Sequence, residues 1–369
     1  MIQIRCKGCG AMLQNTDPNK MGYVKEIKNP FDVYCKRCFR LKHYNELPKI
    51  LATKESYEAV LDDLLKKNGL IVLVVDLLDL SSTFIYDVVS RLRNKDVILV
   101  GNKYDVFPHS SNPSAMVEKL GKMCDKIFFR VLAIHLVSSK KGYFLDDLMH
   151  TIDLARKERD VYFVGCANVG KSSLINALLK RNTSRTDDVI ATSVIPGTTL
   201  DQITIPFFED NKAFIDTPGL INDANALQSI LPQSYLSILP KVEIKPKNYQ
   251  LQEGNAVLLA GLGGIVLEEG NANVTVYTSN SLYIHRCKAE KIKDLYAKNL
   301  GDLLTPPTKE EAKNISYKEV YFDLEDGKHD ISFPGIGFIC VSGKCKVKAI
   351  CLEKSEVYVR DAFIGSSVK

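Results

Sequence analysis

VGCANVGKSS, residues 164–173, follows the apolar run Val161–Val164 and opens the helical pattern SSLINALLK (172–180). Within it, Gly165-Cys166-Ala167-Asn168-Val169-Gly170-Lys171-Ser172 fits G-x4-G-K-[ST] at every position. Glycines at both ends let backbone N–H groups curl around an anion, and the start of the following helix adds favourable partial charge. The lysine is suited to the β and γ phosphates, and the serine hydroxyl to magnesium. The stretch therefore predicts strand, phosphate loop and helix. The nucleotide-binding candidates here are Gly165, Asn168, Val169, Gly170, Lys171, Ser172 and Ser173. Such loops usually open a nucleotide domain, yet this one begins almost halfway along a chain of 369 residues.

Outward from the loop, short apolar runs alternate with helical patterns. GLIVLVVD (69–76), DVILVGNK (96–103), FRVLAIHLVSS (129–139), DVYFVGC (160–166) and KAFIDTPG (212–219) are nearly continuous in Val, Ile and Leu. That texture predicts strands buried on both faces, as in a mostly parallel sheet with helices on either side. Over 143–157, Leu145, Leu148, Met149 and Ile152 fall on one helix face. Residues 51–235 are read as this α/β domain. A small module, 1–50, precedes it, and a β-rich α+β domain, 236–369, follows it. In the last region alternating segments are separated by Gly/Asn/Asp turns; GLGG (261–264) reads as a hairpin turn, and one helix spans roughly 289–304 before Pro306-Pro307.

The choice of base rests on GNKYD (101–105). Guanine presents a ring N–H and an amino group side by side, which match the two carboxylate oxygens of Asp105; adenine would leave that charge unpaired. Asn102 is suited to the other edge of the base, and the stem of Lys103 to its face. SSKKG (138–142) ends a strand, so Ser138, Ser139 and Lys140 complete the pocket. Two strands end in aspartate, Asp76 and Asp216. The DTPG context assigns the magnesium-side carboxylate to Asp216 and leaves Asp76 a structural role. Gly219 supplies a backbone N–H for the γ-phosphate, so residues around it form a nucleotide-sensing switch. In PGTT (196–199), Thr199 is the candidate for a second magnesium hydroxyl, with Thr198 the alternative. The catalytic set is thus Lys171, Thr199, Gly219 and Asn168. Leu220 stands where many GTPases carry a water-positioning glutamine. Slow intrinsic hydrolysis is expected. For Asn168 two readings stand: it holds a potassium ion bridging the phosphates, or it shapes the loop.

These motifs run base, base, phosphate, switch, switch, whereas ordinary GTPases begin at the phosphate loop. Joining the usual ends through ARKERD (155–160) and opening the chain after the second switch produces this order, and the sheet survives the change. With CKGCG…CKRCFRLKHYN at the N-terminus and the β-rich tail, the whole chain resembles the YqeH family of circularly permuted ribosome-assembly GTPases. The resemblance implies GTP hydrolysis, a role in small ribosomal subunit maturation, and rRNA or a precursor particle as partner. It also implies a C-terminal fold similar to tryptophan-RNA-binding attenuator subunits. Because the second switch leads directly into the tail, GTP state is expected to be coupled to RNA binding there. The alternative is an RNA-binding scaffold in which GTP is a slowly hydrolysed structural ligand.

Composition sets the remaining bounds. Net charge is +5, with 45% hydrophobic and 25% charged residues. No run approaches the roughly 20 apolar residues of a bilayer span. The start, MIQIRCKGCG, reads as cytoplasmic rather than as a signal peptide, and neither membrane nor DNA is an expected partner. Residues 1–50 hold ten Lys/Arg against four Asp/Glu. Cys6, Cys9, Cys35 and Cys38, two CxxC pairs 25 residues apart, suit a structural zinc with no open position; redox chemistry is the other reading. Lys36, Arg37, Arg40 and Lys42 are candidates for RNA phosphates, against a solvated basic face. His43 is not needed as a ligand. The other cysteines read as small buried residues. Tyr277, Tyr283, His285 and Arg286 form either an RNA-stacking surface or sheet packing.

Overall fold

The apolar runs become the strands of one sheet in the structure, a computed structural model that describes residues 4, 12–16, 23–26, 33–36, 51–52, 54–182, 195–196, 202–220, 222, 225 and 229–364. In chain order the elements are β1 (Leu51–Ala52), α1 (Lys54–Lys66), β2 (Gly69–Asp76), α2 (Leu80–Thr83), α3 (Tyr86–Arg91) and β3 (Val97–Asn102). A 3-10 turn, Tyr104–Val106, precedes α4 (Pro113–Lys126), β4 (Ala133–Leu136), α5 (Leu145–Arg156), β5 (Asp160–Val164) and α6 (Lys171–Arg181). Four short strands follow: β6 (Ile195–Pro196), β7 (Ile203–Pro206), β8 (Ala213–Asp216) and β9 (Gly219–Leu220). Every residue of β2 and β3 is buried, as continuous apolar runs require.

The sheet order is β4-β3-β2-β5-β8-β7-β6. From β4 to β8 all neighbours are parallel, while β7 and β6 are antiparallel additions at one edge. From β2 the chain works outward to β4. It then returns to β5, which pairs with β2 from Gly69↔Asp160 to Leu73↔Val164, and works outward on the other side. The strand order reverses between β2 and β5, and in such sheets ligands bind beyond the carboxyl ends of the strands at the point of reversal. The phosphate loop leaves β5 at that point.

The expected join of the usual chain ends lies between α5 and β5 and is only three residues long. α5 buries Leu145, Leu148, Met149 and Ile152, the predicted face. Lys157 and Glu158 then take left-handed conformations, with φ of 46° and 58°, to turn the chain into β5. Arg159 holds the turn: its Nε donates to the Arg156 carbonyl at 2.8 Å, and its Nη2 to the Ala155 carbonyl at 3.0 Å and to Asp96 at 2.7 Å. Arg156 pairs with Asp210 at 2.6 Å and lies 3.8 Å above the Phe208 ring. Phe207 stacks on Phe214 at 4.4 Å, so the arginine borders an aromatic core.

The chain divides into two compact units. One is Met1–Asp76, Tyr86–Tyr104 and Leu120–Ile221; the other is Leu77–Ile85, Asp105–Lys119 and Asn222–Lys369. A linear reading does not anticipate that two excursions from the α/β region would cluster with the tail. In the second unit, Val106 accepts from the Ile244 N–H at 2.8 Å and Asp79 accepts from the Gly335 N–H at 2.9 Å. After α7 (Pro232–Ile238) this unit is mostly β. The strands are β10 (Lys247–Gln252), β11 (Asn255–Leu259), β12 (Gly263–Thr278), β13 (Ile284–Lys288), β14 (Tyr317–Leu324), β15 (Lys328–Phe333), β16 (Gly337–Ser342), β17 (Cys345–Leu352) and β18 (Tyr358–Asp361).

β12 is 16 residues long because it belongs to two half-sheets. Its first half pairs with β11 and β17, its second with β10 and β16, and a bulge between Leu267 and Glu269 re-aims it. Leu251, Val274 and Ile339 from one half share a core with Val257, Ile265 and Val347 from the other. GLGG does form the β11–β12 hairpin, with Leu258 opposite Gly264. The predicted 289–304 helix is shorter: a 3-10 turn, Ala289–Lys291, leads into α8 (Ile292–Asn299). The Asn299 carbonyl accepts from Asp302 and Leu304 N–H groups, and Gly301 at φ 83° turns the chain away. A last short helix, α9 (Lys309–Ala312), is capped by Thr308 and Glu311. No helix among the described residues is long and apolar enough to cross a membrane.

Arg159 makes several bonds to a turn that nothing else holds as closely. Arg159→Ala should destabilise the protein by about 2 kcal/mol, seen as an earlier urea midpoint. Arg159→Lys should recover only part, because an ammonium cannot fork between Asp96 and the helix carbonyls.

Candidate active site

At the phosphate loop there is little room for any side chain on its glycines. A Cβ on Gly165 would lie 2.3 Å from the Val74 carbonyl oxygen, and one on Gly170 2.4 Å from the Asn102 amide nitrogen. Gly170 also has φ 92°, and Asn168 φ 66°. The exposed Asn168 and the buried Val169 thus sit on a tight curl of backbone. α6 begins at Lys171 and buries Leu174, Ile175, Leu178 and Leu179 against the sheet, which fixes its first turn over the loop. Ser173 is exposed on that turn.

Asp216 ends β8 beside β5 and is 1% exposed. Ser172 Oγ donates to its Oδ2 at 2.8 Å, and Lys171 Nζ stands 3.8 Å from its Oδ1. Burial pushes the Lys171 pKa down, while Asp216 works in the opposite direction and favours the ammonium. A hydroxyl and a buried carboxylate at the head of a helix are the hard oxygen donors that Mg2+ takes. Ser172 and Asp216 therefore fit the ion by chemistry. Thr198 and Thr199 lie outside the described residues.

Asn102 links two loops. It is wholly buried; its amide donates to the Val169 carbonyl at 2.9 Å and lies 3.2 Å from Ser139 Oγ, while its oxygen accepts from the Ser139 N–H at 3.1 Å. The side chain braces the phosphate loop against the loop after β4. That second loop is closed by Ser138: its hydroxyl accepts from Lys141 N–H and its carbonyl from Gly142 N–H, both at 2.8 Å. Ser139 and Lys140 project between these bonds, half-buried and exposed respectively. Arg181, at the end of α6, donates to the Gly142 carbonyl of this loop at 3.3 Å and pairs with Asp146 of α5 at 2.5 Å.

Lys103 follows with φ 68°, and its ammonium meets Asp76 at 2.5 Å. Asp76 is thus more than the unspecified structural residue that sequence suggested: it fixes the position of the lysine stem. The signal was available, since Asp76 ends the strand beside β3 and is in register with Asn102. Asp105 lies two residues further on, in the Tyr104–Val106 turn.

The second switch is a strand. β9 pairs in parallel with β1, Leu51↔Gly219 and Ala52↔Leu220. On its other side the Ala167 N–H donates to the Leu220 carbonyl at 2.7 Å, and the Leu220 N–H to the Gly165 carbonyl at 3.4 Å. A Cβ on Gly219 would be 3.0 Å from Ala167 Cα, so glycine permits this close approach. The Leu220 side chain is 9% exposed. α1 presents Tyr57, Val60, Leu61 and Leu64 as one buried face, with Tyr57 lodged near Gly165 and Cys166.

Of the cysteine module, Cys35 is buried, while Cys6, Cys9 and Cys38 lie outside the described residues. Lys36 donates its N–H to the Tyr23 carbonyl at 2.7 Å and sets its ammonium 5.7 Å from that ring. Arg37, Arg40, Lys42 and His43 also lie outside the described residues. Tyr277 stacks on the buried Phe338 at 4.8 Å, which is sheet packing. Tyr283 and His285 are separate from that stack and paired with each other.

Residues 160–283 match a protein-family model described as 50S ribosome-binding GTPase, and 271–363 match one described as YqeH-like, C-terminal. The GTPase match begins at β5, the phosphate-loop strand, and the base motif precedes it, as circular permutation requires. A GTPase Der from Caldanaerobacter subterraneus is 31% identical over 164 residues, 42% of this chain and 34% of its own. NO-associated protein 1 of Arabidopsis thaliana is 28% identical over 388 residues, 91% of this chain and 69% of its own. A Bacillus subtilis protein named YqeH is 33% identical over 368 residues, covering 99% of this chain and all of its own. The chain is a GTPase, with GTP or GDP and Mg2+ as its ligands. Likeness of this extent, carried by both terminal regions as well as by the nucleotide motifs, places the chain in the YqeH family.

Proposed function

We propose that the protein is a GTP-hydrolysing switch in assembly of the small ribosomal subunit, with precursor rRNA or its particle as partner. The observation that carries the switch is the docking of Gly219–Leu220 directly on the phosphate loop at Gly165–Ala167. A γ-phosphate approaching that loop meets a strand whose backbone groups are already engaged there. The polypeptide passes from Leu220 to Asn222, the first residue of the second unit's longest segment, so the switch and that segment are joined covalently. A ribosomal partner is supported by family membership and by the matching GTPase model, whose description names the 50S rather than the small subunit.

Residue by residue, Lys171 neutralises the β and γ phosphates, and the loop N–H groups hold their oxygens. Ser172 and Asp216 would hold Mg2+, which would supply charge stabilisation to the phosphates. Lys103, steadied by Asp76, covers the base, and Asp105 selects guanine. Ser138, Ser139 and Lys140 close the base loop. Thr199 adds the second magnesium hydroxyl. Leu220 can neither orient nor deprotonate water, so intrinsic turnover is slow. Asn168, exposed on the loop, would hold a potassium ion, which would supply positive charge beside the phosphates. Cys6, Cys9, Cys35 and Cys38 would hold a structural zinc, and Lys36, Arg37, Arg40 and Lys42 would serve RNA phosphates. The protein acts in the cytoplasm.

Single-turnover GTP hydrolysis, measured with potassium or sodium and with purified small or large subunits, tests the reading. Potassium and small subunits should each accelerate turnover by at least about tenfold. Rates indifferent to both would leave a scaffold with GTP as a structural ligand, and acceleration by large subunits alone would move the partner. For the base pocket, Asp76→Asn should weaken GTP binding about fivefold to twentyfold by releasing Lys103, with saturated single-turnover rates unchanged. For the metal module, wild-type protein should carry one zinc per chain, and Cys35→Ser should lose it with the fold of the N-terminal segment. Metal analysis with circular dichroism reads both.

A further inference from the structure

Asp105, the carboxylate suited to guanine, is the first residue of a stretch, Asp105–Lys119, that clusters with the second unit. Within that unit the residues directly after it are held at close intervals. The Val106 carbonyl accepts from the Ile244 N–H at 2.8 Å. The Phe107 ring meets the Phe363 ring edge-on at 6.1 Å, and both are buried. The His109 N–H donates to Glu243 Oε1 at 2.8 Å, and its Nε2 lies 3.3 Å from the other carboxylate oxygen. At the far end of the stretch, in α4, the Lys119 ammonium donates to the Ala362 carbonyl at 2.5 Å.

The two tail segments that make these bonds are themselves fastened. Asn280 accepts from the Lys245 N–H and donates to the Glu243 carbonyl, each at 2.8 Å, which ties 243–245 to the turn between β12 and β13. The Phe363 N–H donates to Asp330 Oδ2 at 2.8 Å, and Arg360 Nε lies 3.4 Å from the same oxygen. Asp330, in β15, is wholly buried, and a buried carboxylate keeps the groups that satisfy it close. One residue earlier, the Ala362 N–H donates to the Lys328 carbonyl at 3.1 Å. The Phe363 ring is therefore presented to Phe107 by a backbone with little freedom.

Asp105 lies in a single 3-10 turn, Tyr104–Val106. Before it, the Tyr104 N–H donates to the Val137 carbonyl at 3.0 Å; after it, Val106 and Phe107 are tied to the tail. A carboxylate that must meet two neighbouring N–H groups of a base has a narrow range of useful positions, about 0.5 Å and 10–20° wide. Its backbone is set from the tail side by the residues that follow it. We propose that Glu243, Ile244 and Phe363 are positioning residues for Asp105, so that the tail sets how sharply the site selects guanine. The proposal rests on the reading of Asp105 as the guanine-selecting residue and says what holds that residue in place.

The test is equilibrium binding of GTP, inosine triphosphate and ATP to the full chain. Inosine triphosphate lacks the amino group of guanine and offers Asp105 one donor instead of two, so wild type should prefer GTP. Phe363→Ala should weaken GTP binding about tenfold and inosine triphosphate binding about threefold or less, with the saturated single-turnover rate kept. Phe363→Leu, which refills the space beside Phe107, should recover most of the preference. Glu243→Ala removes the His109 tie and spares the core; it should lower the ratio of GTP to inosine triphosphate affinity about twofold. Should Phe363→Ala fail to fold, Glu243→Ala decides alone. Equal losses on all three nucleotides, or wild-type ratios in the alanine variants, would overturn the proposal. Asp105→Asn separates it from the reading beneath it, since that variant should prefer xanthosine triphosphate to GTP. Without that change of preference the guanine assignment falls and the proposal with it. With it, and with wild-type discrimination in the alanine variants, the positioning fails alone.

Discussion

Asp216 is a carboxylate taken almost wholly out of water, and the nucleotide end of the molecule is organised around satisfying it. An isolated buried charge costs several kcal/mol, so Lys171 and Ser172 must stay close whenever no metal is near. Two of these groups, Ser172 and Asp216, are the oxygen donors that Mg2+ takes, and Lys171 is a cation suited to phosphate, so the arrangement without ligand already brings such groups together. Two steric limits hold them there. Gly165 runs against the Val74 carbonyl and Gly170 against the Asn102 amide, so the loop cannot widen without disturbing β2 or the brace to Ser139.

The sheet is largely indifferent to where its polypeptide begins. What it requires is that β5 lie between β2 and β8 and that helices cover both faces, and these conditions are met in any cyclic order. The cost falls on the join, where a three-residue link must replace two free ends. Arg156 and Arg159 meet that cost by tying α5, the Asp96 turn and the Asp210 turn to one another. The guanine motif, made early in the chain, is then braced to a phosphate loop made more than sixty residues later through Asn102 and Val169.

Much of this was legible in the amino-acid order. Buried strands announced themselves because a two-sided position excludes polar residues, and GCANVGKS is nearly diagnostic because few residue types tolerate its curvature. What escaped was relational. Asn102 was legible as a residue type suited to a base, but its bonds to Val169 and Ser139 are set by neighbours that no local pattern identifies. Asp76 looked incidental because its partner, Lys103, belongs to the adjacent strand's loop. The clustering of 77–85 and 105–119 with the tail was equally invisible, since loops reveal composition but not what they lie against. α8 ended early because a glycine with positive φ stops a helix before any proline does.

β9 is only two residues long, yet it is shared. One of its edges serves the loop that faces phosphate; the other serves Leu51–Ala52, the strand that follows the cysteine-bearing segment. Two residues offer too few N–H and C=O groups to be repositioned on one side and untouched on the other. A displacement of Gly219 must therefore either drag the entrance of the α/β domain along or strip it of its partner. The start of the α/β domain and the phosphate loop thus share the backbone groups of the same two residues.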